Sequence, residues 1–456
     1  MAPFRQESYF VVYPGSQRTL VQFGIREETF HLPQLEIPTE VYQKDGKFFS
    51  KNYDGDCQVV KPIKDGKIQD LNALLFFLKL IYRSILAEKS GGGARSDVFE
   101  TELANIPMLL ISSVHWTQSQ LERITQFVFE QLQINNFMFL PSPLATSYAL
   151  GSLQNCIVID IHASGTEVVP IMDYVQLTHL MTNINVGGNS INEDLAKLLP
   201  QWDADRIEDL KRSPIFEVLS EDAKQSSAFD FQEGVDEGAL DVAALVTSDR
   251  DTRELLEERE RKKAQDQVGN AQRETNTFTD RSGQQVVIGK QRFQGCDVLI
   301  GKISTAVGLA ASQIDDFHKL RAMWENVMIV GGTSSIPGFK EALLHRLCVD
   351  HLVQEPQEEK QKREQELMSQ AANKRKTKFS SSFVNAIDYV QIPSVIKIAK
   401  YPEYFPEWKR HGFSEVPFLG AQIVTKQVFG HSNESFYVTR DKYEKKGPSA
   451  IWDVTF

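Results

Sequence analysis

The chain contains 456 residues, of which 41% are hydrophobic and 24% are charged, fractions that are typical of globular proteins. Its 50 basic and 61 acidic side chains give a formal net charge of −11, which excludes nucleic-acid binding driven by bulk positive charge. The length is sufficient for two large lobes. Four cysteines lie far apart without C-x-x-C spacing, so we predict no zinc site or disulfide framework and expect a reducing compartment.

The predicted elements begin with two strands. Residues 8–13 and 19–25 are rich in apolar and β-branched side chains and flank a turn at 14–18, a pattern that predicts a β-hairpin. Residues 33–70 are polar and rich in turn-forming side chains, and we expect a small accessory subdomain there.

The longest apolar run, 71–86, predicts a helix. It contains Lys79 and Arg83, so it is too short and too charged to span a bilayer. The first residues of the chain lack the charged and apolar regions of a signal peptide. We therefore expect a soluble, intracellular protein.

Two α/β units follow. Residues 108–112 predict a buried strand, and 119–132 place apolar side chains at helical spacing. A second buried strand is predicted at 156–160, and Gly187-Gly188 precedes a predicted helix at 191–199. Because each half begins with strands and continues with a helix, the pattern favours a pseudo-duplicated α/β fold, although internal identity is too weak to count as a repeat.

A glycine pair ends a third buried strand, Val327 to Val330. Gly331 and Gly332 follow that strand directly and lead into a turn and a helix. A backbone without side chains at a strand end can approach a flat or anionic ligand closely. The alternative interpretation of the pair is a structural turn between strand and helix.

Two segments interrupt the α/β pattern. Residues 221–275 are highly charged and predict a solvated helix with intrahelical ion pairs; a partner-binding helix is the alternative. Residues 354–380 run from acidic and glutamine-rich to basic and predict a surface insertion. Their basic end, 373–378, could also be a nuclear-localisation signal or a nucleic-acid patch.

Five motifs occur in an order and at a spacing that resemble the actin family over nearly the whole chain outside these insertions. They are residues 61–68, 276–293, 331–333, 337–338 and 443–452. The resemblance implies the actin-like ATPase fold of the actin, Hsp70 and sugar-kinase superfamily, with two large lobes built on pseudo-duplicated βββαβα cores. In that superfamily a glycine turn such as 331–332 lies beside the adenosine of ATP.

The resemblance also implies lobe boundaries. The first lobe is expected at 1–150 and includes the accessory subdomain at 33–70. The second lobe is expected at 151–400 and contains both insertions. The remaining residues, 401–456, are expected to return to the first lobe.

The first phosphate hairpin of actins supplies an Asp to the metal shell, a Gly-Ser-Gly turn of amides, and a Lys. By this resemblance Gly15 and Ser16 are kept, whereas Gln17 replaces the second glycine. Tyr13 stands at the Asp position and Leu20 at the Lys position. A phenol supplies no carboxylate to Mg²⁺, and leucine offers no charge to a triphosphate.

The second hairpin of actins reads Asp-x-Gly-Asp-Gly. Here Asp160 is kept, while His162, Ala163 and Ser164 replace the two glycines and the second Asp. Ser142 stands where actins carry a glutamine that orients the attacking water, and serine is too short for that role. Asp160 is interpreted as a hydrogen-bonding residue at a strand end, with metal ligation as the alternative.

We therefore predict no catalytic residue, no bound metal and no cofactor. The residues that match the nucleotide site of actins are predicted to be vestigial: Gly15, Ser16, Asp160, Gly331, Gly332 and Thr333. The expected function is that of a non-catalytic scaffold, with a nucleotide-regulated actin-like protein as the alternative.

Five further segments resemble fungal nuclear actin-related proteins: residues 1–6, 201–203, 213–220, 290–296 and 401–408. That resemblance implies a nuclear subunit of SWI/SNF and RSC chromatin remodellers. It also implies pairing with a second actin-related protein, of the actin-related protein 7 type, on the HSA helix of the remodeller ATPase. A small Rtt-type regulatory subunit is expected nearby, chromatin contact is expected to be indirect, and no membrane contact is expected.

A partner helix is expected in an apolar cleft. The residues that resemble the walls of this cleft in actins are Tyr148, Gly151, Phe418 and Ile423. A helix bound there would present apolar anchors at i, i+3, i+4 and i+7. The alternative is that Tyr148 and Phe418 belong to the core.

Overall fold

The computed structural model describes residues 9–24, 30–52, 55–89, 104–225, 269–353, 393–430 and 434–454. Most of the predicted charged insertion at 221–275 and all of the insertion at 354–380 lie outside these residues. None of the helices within the described ranges is both long and apolar enough to cross a membrane.

The strands share one feature, namely that most are short and paired with a neighbour in sequence. In chain order they are β1 (Phe10–Pro14), β2 (Arg18–Phe23), β3 (Leu35–Pro38), β4 (Val41–Lys44), β5 (Lys47–Phe49), β6 (Gln58–Val60), β7 (Ile63–Lys64), β8 (Lys67–Ile68), β9 (Met108–Ser112), β10 (Asn136–Pro141), β11 (Cys156–Ile161), β12 (Thr166–Met172), β13 (Val175–Gln176), β14 (Thr182–Ile184), β15 (Asn276–Thr279), β16 (Gln285–Ile288), β17 (Val327–Val330) and β18 (Val438–Thr439).

The α-helices lie singly or in short runs between groups of these strands. In order they are α1 (Leu71–Lys89), α2 (Gln118–Glu130), α3 (Ser142–Ala149), α4 (Gly188–Leu198), α5 (Ala204–Arg212), α6 (Glu221–Gln225), α7 (Asp297–Ala311), α8 (Phe317–Trp324), α9 (Phe339–His351), α10 (Pro406–Arg410), α11 (Val416–Gly430) and α12 (Arg440–Lys446).

The first sheet has six strands in the order β18-β10-β9-β1-β2-β3. Its opening hairpin pairs β1 with β2 antiparallel and places Tyr13 opposite Leu20. Strand β9 is parallel to both β1 and β10. All five residues of β9 are buried, as expected for a strand covered on both faces, and this explains why its sequence is a continuous apolar run.

The second sheet repeats this plan. It has five strands in the order β13-β12-β11-β17, with β14 paired to β12. Strands β11 and β12 form an antiparallel hairpin, and β17 runs parallel to β11. The predicted mixed α/β architecture is thus confirmed, with each large sheet built from an antiparallel hairpin and an adjacent parallel strand.

Alternation along the strands creates a central cluster between the two sheets. Val11 of β1 and Val158 of β11 both face this cluster, which also contains Phe418 of α11. The next residues along each strand, Val12 and Ile159, face separate clusters on the outer sides of the sheets. Because side chains of a strand point to opposite faces in turn, one sheet contributes to two cores.

The end of the chain contacts the first sheet. Strand β18 pairs with β10, and α11 packs closely against α3. A methyl group placed on Gly420 of α11 would lie 1.7 Å from the Ala145 carbonyl oxygen, so only glycine permits this approach. The lobe boundaries expected at 150 and 400 stay a prediction.

Candidate functional site

The turn of the first hairpin is closed by its own backbone. The Gly15 amide donates to the Arg18 carbonyl at 3.0 Å, and a methyl group on Gly15 would lie 2.7 Å from that oxygen. The Ser16 hydroxyl accepts a hydrogen bond from the Gly66 amide at 3.0 Å. Leu20 is buried in the central cluster. The two kept residues of this turn therefore have structural partners within the protein.

The turn of the second hairpin is closed by the start of α4. The His162 amide donates to the Gly165 carbonyl at 2.9 Å, and the His162 carbonyl accepts from the Gly188 amide at 2.9 Å. The Ala163 carbonyl accepts from the Asn189 amide at 2.7 Å. The first amides of α4, which in a free helix end would have no hydrogen-bond partner, thus donate to the carbonyls of this turn.

Four titratable side chains meet beside this turn. The His162 Nε2 atom lies 3.7 Å from Asp160 Oδ2 and 3.4 Å from Glu167 Oε1. The same Glu167 oxygen lies 2.8 Å from the Nε2 atom of His115. Within the described residues, no group of three or more His, Cys, Asp or Glu side chains is arranged to hold a metal ion. The contacts are those of a polar network in which the two carboxylates are largely buried and His162 is about one-third exposed.

Burial and charge shift the pKa values of this network. Burial raises the pKa of Asp160 to about 6, with His162 opposing the shift and Glu167 adding to it. Burial by itself lowers the pKa of His162, but Asp160 and Glu167 outweigh it and raise this pKa to about 9. Burial opposes ionisation of Glu167, yet hydrogen bonds from His115 and His162 lower its pKa to about 2. At neutral pH a cationic His162 therefore lies against the Glu167 carboxylate.

Tyr13 lies among carboxylates. Burial raises its pKa well above the usual range, and the charges of Asp160, Glu415 and Glu167 raise it further, whereas a side-chain hydrogen bond with Ser142 lowers it. The phenol therefore stays neutral. Arg18 lies next to the same hairpin and forms ion pairs with Glu36 at 2.6 Å and Glu415 at 2.5 Å.

The glycine pair has two different environments. Gly331 has a φ of 92°, and a methyl group there would lie 2.3 Å from the Ile161 carbonyl oxygen and 2.9 Å from Asp160 Oδ1. Gly331 is thus required where β17 ends beside β11. At Gly332 a methyl group would meet no heavy atom within 4 Å in the described ranges. The Thr333 hydroxyl lies against Gly188, 2.6 Å from where a methyl group there would be.

A C-terminal aromatic segment covers the turn that follows the glycines. The Tyr401 hydroxyl donates to the Ile329 carbonyl, and the Lys340 amine lies 4.0 Å from the centre of the Tyr401 ring. A methyl group on Gly412 would lie 3.4 Å from the Ser335 β-carbon. Residues after 400 therefore pack directly on the turn at 331–335.

The residues expected in the partner cleft separate into two groups. Phe418 is 0% exposed within the central cluster, which favours the alternative that it belongs to the core; its place in the wall of a partner cleft stays a prediction. Tyr148 and Ile423 are half-buried and pack against that cluster. Gly151 has a φ of 98°, and a methyl group there would meet no heavy atom within 4 Å among the described residues.

Tyr174 is a surface residue that the sequence analysis missed. Its ring stacks on Tyr148 with centroids 6.3 Å apart and an interplanar angle of 8°. It follows Asp173 in the β12–β13 turn, and both residues have positive φ angles, 52° and 63°. Lys319 holds Asp173 in an ion pair at 2.5 Å. A bulky residue with positive φ is uncommon, and no glycine marks this turn in the sequence.

The other missed residues are His115, Glu167 and Glu415. The available signals were a glutamate in a mostly apolar strand, for Glu167, and a histidine three residues after a buried strand, for His115. Neither signal identifies its partner, since the contacting residues are far apart in sequence. No sequence motif singles out Glu415.

The actin family model matches residues 33–355. The chain is 25% identical to the SWI/SNF and RSC complexes subunit arp9 of Schizosaccharomyces pombe over 91% of this chain and 84% of that protein. It is 23% identical to actin-related protein 7 of Oryza sativa over 88% and 87% of the two chains. It is 26% identical to putative actin-29 of Dictyostelium discoideum over 50% and 52%. The family model spans well over half of the sequence, and the chain therefore belongs to the actin family.

Proposed function

We propose that this chain is a non-catalytic actin-related subunit of nuclear, ATP-dependent chromatin remodellers of the SWI/SNF and RSC type. The support is the relative named for those complexes, which aligns with 91% of this chain. In this proposal the chain pairs with a second actin-related protein on the HSA helix of the remodeller ATPase, near a small Rtt-type regulatory subunit. It thereby modulates remodelling and transcription.

The observation that carries the non-catalytic role is the charge around Tyr13. Asp160, Glu167 and Glu415 all act on this phenol, so a triphosphate in their midst would meet several carboxylates. The nearby cations, His162 and Arg18, are already ion-paired with protein carboxylates. Bringing an anionic ligand into this site would therefore require breaking the partly buried His162–Glu167 contact and the more exposed ion pairs of Arg18. Loss of the first is costly, because it leaves the buried Glu167 carboxylate with one partner fewer.

The groups that drive phosphoryl transfer are also replaced. Leu20 is buried among apolar side chains and supplies no charge where the actin resemblance places a lysine. Ser142 contacts the Tyr13 phenol in place of orienting water. Phosphoryl transfer depends on positioned metal, cations and water, so the residues present do not fit Mg-ATP, and we derive no hydrolytic step.

Titration of Mg-ATP into the purified full-length chain is the direct test. We expect no saturable heat by isothermal titration calorimetry and no nucleotide in extracts of the purified protein. Conventional actin, handled in parallel, is the positive control. Tight stoichiometric binding would contradict the proposal and favour a nucleotide-regulated actin-like protein instead.

For the partner helix we propose the surface formed by Tyr148, Tyr174 and Ile423. The stacked rings supply a rigid, partly exposed apolar face, and aromatic anchors of this kind dominate many helix-in-groove interfaces. Phe418 lies unexposed in the central cluster against which Tyr148 and Ile423 pack.

Tyr148→Asp is expected to weaken binding of an HSA peptide about tenfold or more, because a charge replaces a partly exposed aromatic anchor. Fluorescence anisotropy of a labelled peptide measures the affinity, and circular dichroism checks folding. Tyr404→Asp is the matched control, since Tyr404 is 72% exposed and lies outside this surface. Equal affinity of the folded Tyr148→Asp protein and the wild type would rule the surface out.

A further inference from the structure

Three side chains join the two sheets at the position that the actin resemblance assigns to phosphate. His115 follows β9 of the first sheet, whereas Glu167 belongs to β12 of the second. Their contact is 2.8 Å long, and the two side chains are only 13% and 9% exposed. His162, in the turn before β12, shares the same carboxylate oxygen at 3.4 Å. The link therefore crosses from one sheet to the other inside the protein.

The β7–β8 hairpin adds a second set of contacts to the same place. Its Gly66 carbonyl accepts a hydrogen bond from the Trp116 indole at 3.1 Å, and its Gly66 amide donates to Ser16. A methyl group on Gly66 would lie 3.2 Å from the His115 ring and 3.4 Å from Glu167 Oε1. Asp65 contacts the Ser164 hydroxyl of the second hairpin turn. The β7–β8 hairpin thus packs directly against the His115–Glu167 pair.

Separating the two sheets at this position would cost free energy. Glu167 would lose His115 while remaining largely surrounded by protein, and a buried carboxylate that loses a partner is strongly destabilised. Opening would also break the contact between Asp65 of the β7–β8 turn and Ser164 of the second hairpin turn. Several contacts therefore have to break together, which favours one fixed arrangement of the sheets.

We propose that His115, Glu167 and His162 form an inter-sheet lock that holds the two large sheets in one arrangement without nucleotide. In this role protein side chains replace the ligand as the bridge between the two sheets. The inference rests on the proposed non-catalytic function. A lock at this position would fix the relative arrangement of the two sheets whether or not nucleotide is present. Its consequence is a constant surface for partner proteins.

Hydrogen–deuterium exchange of the nucleotide-free, full-length protein tests the lock. In His115→Ala we expect exchange of peptides covering 61–69 and 113–117 to become about tenfold faster, while the β9 and β10 amides stay protected. Glu167→Gln, which keeps the side-chain volume, is expected to accelerate the same peptides. The double variant should show little further change at 61–69, because both substitutions weaken the same His115–Glu167 contact between the sheets.

Asp173→Asn is the matched control. It removes the ion pair with Lys319, which lies beside the second sheet and does not reach the first, so exchange at 61–69 should not change. Unchanged exchange in both folded lock variants would overturn the inference. The calorimetric titration reads the proposed function separately: Mg-ATP binding would refute that function, whereas the variants report on the lock with no nucleotide present.

Discussion

Phe418→Asp is expected to unfold the protein rather than to weaken partner binding selectively. Phe418 is 0% exposed in the central cluster, so aspartate would remove a large apolar side chain and leave a charge there without a partner. Loss of a buried phenylalanine alone costs about 3–5 kcal/mol, and burying the charge adds to this cost. We expect a loss of more than about 4 kcal/mol, which exceeds the margin of many domains.

Urea denaturation monitored by circular dichroism, or the soluble yield on expression, measures this effect. Ile423→Asp is the matched control on the same helix, because Ile423 is only half-buried and its replacement is expected to cost less. A stable Phe418→Asp protein that binds the HSA peptide less tightly would show that Phe418 contributes to the interface directly.

Gly420→Ala is expected to destabilise the protein by about 3 kcal/mol or more. The added methyl group would lie 1.7 Å from the Ala145 carbonyl oxygen and 2.6 Å from its carbonyl carbon. Those atoms are backbone, so they cannot move away as a flexible side chain can. Helices α3 and α11 would have to separate, which opens the central cluster, and overpacking of a rigid core is costly.

Gly301→Ala provides the comparison for this prediction. Gly301 also lies inside a helix, α7, but a methyl group there would meet no heavy atom within 4 Å among the described residues. Alanine favours helix over glycine by about 1 kcal/mol, so this variant should be neutral or slightly more stable. Equal melting temperatures for Gly420→Ala and the wild type would mean that α3 and α11 are not in this close contact.

Local sequence accounts for the central strands. The apolar run at 108–112 matches β9, and the run at 327–330 matches β17. The predicted helix at 119–132 corresponds to α2, whose start is fixed by a capping box between Thr117 and Gln120. Such elements are predictable because their signals come from adjacent residues.

Other elements had no local signal. Helix α11 is apolar on nearly every side and buries most of its residues, so it lacks the one-sided pattern of an amphipathic helix. Strand β12 contains Pro170 and Glu167 in a buried row, which interrupts the apolar pattern that predicts a strand. Both elements are buried on more than one side by parts of the chain that are distant in sequence. Their secondary structure therefore depends on packing that local sequence does not reveal.

The residue types at the actin motif positions, including Tyr13, Leu20 and Ala163, can be read directly from the amino-acid sequence. The fold class also follows from the sequence, because the actin motifs still occur in the expected order although several of their residues are replaced. The contact between Glu167 and His115 and the inward orientation of Phe418 become visible only in the folded chain. The physical reason is that those contacts join residues far apart in the chain, and neither hydrophobic periodicity nor turn chemistry carries information about such pairs.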